Sequence, residues 1–399
     1  MMIRRITFFL VCIICISKNQ AQSVWCRAGI DDKQKYLEAI KDQDPYKIQW
    51  RSERWLPVAV HVVMEDPQSF SYARILHQID VLNKDFAKKS DNILKLNEEF
   101  VDLAADTEIR FCLAATDPDG NPTTGVTFTQ TDIDNIALER NDDGRYVVHY
   151  DQLGGKTGWD PTRYINIWIA EYGNGILGYG SLPGTAAYPE EMGLVMDPVS
   201  FGSLGGGVQF YDKGHSLTHE MGHYLGLLHI WGDDDECIGS DEVDDTPNAS
   251  GFYIGCPSGV QVSCGVSNMY QNFMDLTDDR CLAAFTHGQA ERMQNTLDNY
   301  YPLLSSNAPC ESEVMTFANW AEGLTWVYDP ASGEYLLYSD DYFTGEIQID
   351  IFSSDGRLIL SDKMDNQLSY FIDFDATSGI YFVLLSNGKD KHARKIVVY

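Results

Sequence analysis

His219-Glu220-Met221-Gly222-His223-Tyr224-Leu225-Gly226-Leu227-Leu228-His229 decides how this chain is read. The spacing is H-E-x-x-H-x-x-G-x-x-H. Residues four apart share one face of a helix, so His219 and His223 aim two imidazoles the same way. Glu220 stands beside the first of them, within reach of a metal-held water. Gly226 lets the chain turn sharply without a Cβ penalty, and the turn brings back His229 as a third ligand. Three histidines with an open fourth position describe catalytic rather than structural zinc. H-E-x-x-H alone arises by chance in helices; the glycine and the third histidine at fixed offsets make the string specific. The competing reading is a buried helix with incidental histidines. It must explain three imidazoles and a carboxylate among Leu217, Met221, Leu225 and Leu228.

Residues 1–21 read as an export signal. Arg4 and Arg5 supply the positive end, Ile6 to Ile16 an apolar run too short for a membrane span, and Ala21 a small residue at the cut. No second long apolar segment follows, so no transmembrane span is expected. Removing the signal takes away Arg4, Arg5 and Lys18 and no acid, so the net charge moves from −30 to −33. Such a surface repels nucleic acid and anionic membrane. It suits calcium, which takes oxygen ligands, and solubility accounts for most of the acids. Cys12 and Cys15 leave with the signal. Cys26, Cys112, Cys237, Cys256, Cys264, Cys281 and Cys310 remain, an odd number that leaves one thiol free or intermolecular. The four from Cys237 to Cys281 lie close enough in sequence to form two bridges.

Residues 22–52 are polar and lack core-forming content; they read as a pro-segment or wrapping arm with a short helical pattern near Lys33–Ile40. Strands are predicted at Leu56–Val63, Glu108–Ala114, Val147–His149 and Tyr164–Ala170, with Leu194–Met196 as an edge strand before the zinc helix. Helical spacing runs from Tyr72 to Phe86 and from Thr286 to Tyr300. This order describes an α/β lobe on a twisted mixed sheet over 53–304, completed by an irregular, cysteine-bearing lower lobe. A linker covers 305–323. From 324 to 399 the pattern is all strand, the signature of a β-sandwich-like domain.

The text around the motif resembles the pappalysin family of metzincin zinc metalloproteases, especially its short bacterial members. The resemblance is carried by Gly214–His219, by Leu228–Gly232, by Val243-Asp244-Asp245-Thr246-Pro247, by Asn272–Cys281 and by Phe285–Gln289. It implies that Met274 forms the turn beneath the zinc and that Cys237 pairs with Cys264 and Cys256 with Cys281. It implies calcium contacts at Asp241, Asp244 and Thr246, and a latent zymogen in which Cys26 ligates zinc. A disulfide from Cys26 to Cys112 or Cys310 is the alternative, and if Cys26 serves latency, Cys112 would pair with Cys310. Two positions depart from the pattern. Leu276 stands where relatives often carry a tyrosine that assists the tetrahedral intermediate. At the base of the S1′ pocket, Arg280 directly precedes Cys281. Arg280 facing the pocket would favour an acidic or polar P1′ residue; Asp279 facing it would favour a basic one. Residues from Trp326 onward resemble a type IX secretion sorting domain, although its usual Tyr-Pro-Asn-Pro start is altered here.

The implied function is a secreted or surface zinc metalloendopeptidase acting on proteins or peptides. Glu220 would serve as general base, then general acid. Trp168–Ala170 or Gly178–Ser181 would offer backbone groups to an extended substrate, and the secretion machinery would be the partner of the C-terminal domain. Nothing indicates a stable oligomer, so a monomer is expected. The competing function is a non-enzymatic adhesin or interaction protein on a decayed peptidase scaffold, supported by Leu276 and the acidic surface and opposed by Glu220. An amidase acting on small substrates is the weaker enzymatic alternative.

Overall fold

An eleven-residue strand, β1 (Arg54–Met64), is the spine of the main sheet. Leu56, Val58, Val60 and Val62 enter the core on one face, and Ala59, His61 and Val63 are buried on the other. A strand covered on both faces reads as a near-continuous apolar run, which is why Leu56–Val63 does not alternate. The computed structural model describes residues 30–40 and 53–304, except 122, 174, 203–209 and 235. It also describes the strand segments 315–316, 324–329, 334–339, 346–365, 369–372, 379–386 and 391–398. The export signal, Cys26, Cys310 and most of the pro-segment and linker lie outside the described residues.

β2 (Ile109–Leu113) and β3 (Val126–Gln130) pair in parallel with successive halves of β1, and β4 (Ile165–Ile169) pairs with its other edge. The sheet continues through β6 (Leu194–Met196), parallel to β4, and ends at β5 (Gly178–Gly180), antiparallel to β6. Leu194–Met196 is therefore not the edge expected from sequence: β5 folds back and covers it. Nor is Val147–His149 a strand. It forms a 3-10 turn whose Val147, Val148 and His149 are buried. β3 gave no clear signal because its outward positions are polar.

Two helices pack on one face. In α2 (Tyr72–Phe86), Ile75, Ile79, Leu82 and Phe86 are spaced for one helical side and join Leu217 and Met221 of α3 (His215–Tyr224) in a common core. Thr218 Oγ1 donates to Asp85 Oδ2 across the helices at 2.6 Å. On the opposite face Ile136, Val148 and Tyr172 cover Val63, Trp168 and Val195. The last helix of this unit, α4 (His287–Tyr300), is opened by Thr286 and Gln289 in a reciprocal capping box, so Thr286 is its cap rather than its first turn.

At the N-terminal side, α1 (Ile30–Ile40) lays Tyr36 into the molecule, where its hydroxyl donates to Gly226 O at 3.0 Å. The bridges Cys237–Cys264 and Cys256–Cys281 tie the irregular lobe, with Cα separations of 5.6 Å, and within it β7 (Gln261–Ser263) and β8 (Val266–Asn268) form a short antiparallel pair. Cys112 is also disulfide-bonded; Cys26 and Cys310, the two partners open to it from sequence, are outside the described residues. The C-terminal residues form two antiparallel sheets. One has the order β14 (Ser369–Ile372), β11 (Glu334–Ser339), β10 (Leu324–Asp329), β9 (Met315–Thr316). The other has the order β13 (Leu358–Asp365), β12 (Glu346–Ser353), β15 (Gly379–Ser386), β16 (Lys391–Val398). Ile347, Ile349 and Ile351 alternate inward along β12 and are fully buried.

Candidate metal centre and substrate cleft

α3 carries His219 and His223 one turn apart and ends at Tyr224. Gly226 then takes φ +88°, a left-handed conformation that a side chain disfavours. A Cβ there would also overlap Thr296 Oγ1 and the Tyr36 hydroxyl. The turn returns Leu227 N to Gly222 O at 2.9 Å and sets Leu227 O 2.8 Å from His223 Nδ1. His229 follows, and the ligand atoms of the three histidines lie within 4.8 Å of one another.

Each ring is held by its Nδ1. His219 Nδ1 donates to Phe273 O at 2.7 Å, His223 Nδ1 to Leu227 O, and His229 Nδ1 to Asp233 Oδ1 at 2.6 Å. These bonds fix the tautomer and leave all three Nε2 lone pairs facing inward. His219 Nε2 is buried with no hydrogen-bond partner among the described residues, and the Nε2 atoms of His223 and His229 stand 3.2 Å apart. Converging lone pairs repel unless a cation lies among them, so the donor set fits zinc. Burial pushes His219 down to about 3 and lowers His223 strongly, with the neighbouring imidazoles adding to the effect. Neutral imidazole is the form a metal requires.

Asp233 is a functional residue that sequence reasoning left within the acidic run. Its φ of +58° turns the carboxylate back onto His229. Burial alone would raise its pKa, but His229 and Lys33 hold it well below the ordinary carboxylate range. Lys33, from α1, reaches Asp233 Oδ2 at 3.2 Å and also donates to Gly232 O. The spacing of four between His229 and Asp233 was the available signal. Trp231 stacks flat on His229, centroids 4.2 Å apart, which fixes the ring from the side.

Met274 is fully buried beneath the motif. Its turn is tied by Met274 N donating to Asn272 Oδ1 at 2.9 Å, and Asn272 exchanges two amide bonds with Gln289 of the α4 cap. Gly222 makes room for it, because a Cβ there would overlap Met274 Sδ. Gly222→Ala is therefore expected to overpack this contact at a cost of about 1–3 kcal/mol. Calorimetry should show a melting temperature lower by several degrees; an unchanged one would contradict the close packing of helix and turn.

Glu220, 2 % exposed, shares a small cavity with His219, Leu177, Tyr211, Leu276 and Asp279. The orientation left open by the sequence is resolved in the structure. Asp279 lines the cavity and is fully buried. The Arg280 side chain is 55 % exposed and turns away to pair with Asp278 at 2.9 Å. Lys213 N and His215 N donate to Asp279 Oδ2, while Oδ1 is buried with no partner among the described residues. Leu276 lines the same cavity and offers no hydroxyl. In the predicted calcium loop, Thr246 Oγ1 lies 2.8 Å from both Asp241 carboxylate oxygens, and Val243 N bonds Asp241 Oδ1. Asp244 is exposed. Burial lifts Asp241 to about 7.

The profile of the family described as pregnancy-associated plasma protein-A, peptidase M43, matches residues 149–298. That of the secretion system C-terminal sorting domain matches 329–399. An extracellular metalloprotease of Arthroderma benhamiae is 36% identical over 167 residues, 40% of this chain and 60% of that protein. Another from Verticillium alfalfae is 31% identical over 217 residues, 53% of this chain and 68% of that protein. The chain thus spans about 60% of the length of the first of these relatives. Among solved structures, a glutamate-to-alanine mutant of Tannerella forsythia promirolysin superposes with TM-score 0.65. It is 33% identical and covers 71% of this chain and 98% of its own. Tannerella forsythia mature mirolysin in complex with a cleaved peptide gives TM-score 0.58, 37% identity, 64% of this chain and 99% of its own.

Proposed function

The chain belongs to the pappalysin (M43) family and carries a type IX sorting domain at its C-terminal end, and from that premise we propose that it is a secreted or surface zinc endopeptidase. The observation that carries the reading is the convergence of three buried Nε2 atoms beside a buried carboxylate. His219, His223 and His229 would hold the ion. When bound, zinc supplies Lewis-acid polarisation of the scissile carbonyl and acidification of a water. Glu220 accepts the proton of the attacking water and returns it to the departing amine. β5, the outermost strand of the described sheet, presents a peptide-pairing edge; β4 is interior and does not. Asp279 at the floor of the cavity supports a basic P1′ preference, since its Oδ1 is buried with no partner among the described residues.

Calcium at Asp241 and Thr246 belongs to the same proposal. Its support is the buried Asp241 carboxylate in contact with the Thr246 hydroxyl; Asp244 would join from the surface. Cys26 as a latency ligand is retained on the family resemblance alone.

One series tests the reading on the secreted, self-processed chain. A mixed peptide library should be cut, most readily before Arg or Lys. Cleavage should stop on chelation and return with zinc but not with calcium. Calcium should instead raise the melting temperature, an effect Asp241→Asn removes, and Cys26→Ala should shorten the lag before self-activation. Cleavage indifferent to chelator would overturn the zinc assignment.

A further inference from the structure

A cavity of about 610 Å³ lies behind β5, on the face of the sheet turned away from α3. β5 ends the sheet, and its register shows which groups look outward. Leu177 O accepts from Asp197 N and Ser181 N donates to Gly193 O, so by strand alternation Tyr179 pairs with Val195. Gly178 and Gly180 then direct N–H and C=O toward the open edge. Both also face α3: a Cβ on Gly178 would approach Glu220 Cγ at 3.0 Å, and one on Gly180 would overlap Glu220 O. Tyr179 consequently faces the other way, into the cavity with Val195.

The cavity walls are aromatic. Tyr146, Tyr172, Tyr179 and His149 surround it, and its fixed charges are already engaged. Arg140 lies over the Tyr146 ring at 4.0 Å, and Glu191 Oε1 accepts from Tyr146 N and the Tyr150 hydroxyl, each at 3.1 Å. His149 is 4 % exposed, and its Nδ1 has no partner among the described residues. Burial keeps this ring neutral, so it adds no charge to the wall. Asp32 and Lys35 of α1 complete part of the wall.

We infer that this cavity is an acyl-side specificity subsite for a large aromatic side chain of a peptide paired antiparallel with β5; the inference rests on the peptidase reading above. The direction follows from the two cavities. The one holding Glu220 and Asp279 meets the chain at Leu177, just before β5, whereas this one meets it at Ser181, just after β5. A peptide with its primed side at Leu177 runs against β5 and carries its acyl side past Tyr179 toward Ser181. Side chains alternate along it, so every second acyl-side residue falls on the Tyr179 face. Edge and offset contacts with Tyr146, Tyr172 and Tyr179 favour a ring there.

The test uses the secreted, self-processed chain and peptides with a fixed basic primed residue. Ala, Leu, Phe, Tyr, Glu and Lys are scanned through the first four acyl-side positions. Tyr and Phe should each raise kcat/KM by about tenfold or more at alternate positions. Ala187→Trp, at the exposed rim, should remove that gain and leave turnover of the all-alanine peptide unchanged. Binding is read separately by fluorescence titration of the self-processed chain after zinc removal, which should hold the Tyr peptide about tenfold more tightly than the Ala peptide. Equal Kd values, a flat scan, a preference for Glu or Lys, or a Tyr gain that survives Ala187→Trp would each overturn the subsite. Loss of all turnover with the Tyr preference in binding intact would instead fault the peptidase reading.

Discussion

Glu220→Ala is expected to lower peptide hydrolysis by at least about a thousandfold, the upper range for removal of a positioned general acid–base. The carboxylate is 2 % exposed, shares its cavity with His219 and has the β5 backbone against its stem, so no solvent acid can take its place. It is not one of the three converging donors, so zinc content should stay at one ion per chain and the circular dichroism spectrum should not move. The variant separates chemistry from assembly. Hydrolysis within about tenfold of the parent chain would remove Glu220 from the proton transfers.

The second large effect concerns Asp279. Asp279→Asn is expected to reduce kcat/KM for substrates with Arg or Lys at P1′ by about a hundredfold or more, because truncating one partner of a buried ion pair leaves the other charge uncompensated. Leu at P1′ should change little. Burial raises this carboxyl above its ordinary pKa, although His215 and the backbone N–H groups of Lys213 and His215 oppose the rise. A raised folded-state pKa means that protonation sets in on acidification sooner than for a free Asp. The basic preference should therefore weaken as pH falls through that raised value, while the protonated carboxyl costs the fold less at low pH than the buried anion does at high pH. A basic preference that survives Asp279→Asn would assign specificity elsewhere. A preference for acidic P1′ would restore Arg280 to the pocket, against its exposed position beside Asp278.

The zinc motif was readable because metal ligation imposes residue types and offsets at once. His219, His223 and His229 need a helix and one glycine turn, all of it local in sequence. The spine β1 was readable for a similar reason, since burial on both faces leaves an uninterrupted apolar run. Long-range placements were less accessible. Nothing within Leu194–Met196 says that β5 will fold back over it, and Val147–His149 carries strand-like residues that tertiary packing bends into a 3-10 turn. Asp233 looked like one acid among several; a left-handed backbone, not its composition, delivers it to His229. Arg280 and Asp279 are adjacent, and only the pairing of Arg280 with Asp278 decides which of them faces inward. The carbonyls of Phe273 and Leu227 that fix two rings are backbone atoms, for which sequence offers no letter.

The central claim is that His219, His223 and His229 together hold a single zinc ion through Nε2. X-ray absorption at the zinc edge, on the secreted and processed chain, tests it most directly. The account predicts one zinc per chain with three imidazole nitrogens at about 2.0–2.1 Å and a light-atom fourth ligand. His223→Ala should abolish that signature. A chain that takes up no zinc, or whose zinc is coordinated chiefly by sulfur or carboxylate and keeps its spectrum in His223→Ala, would contradict it.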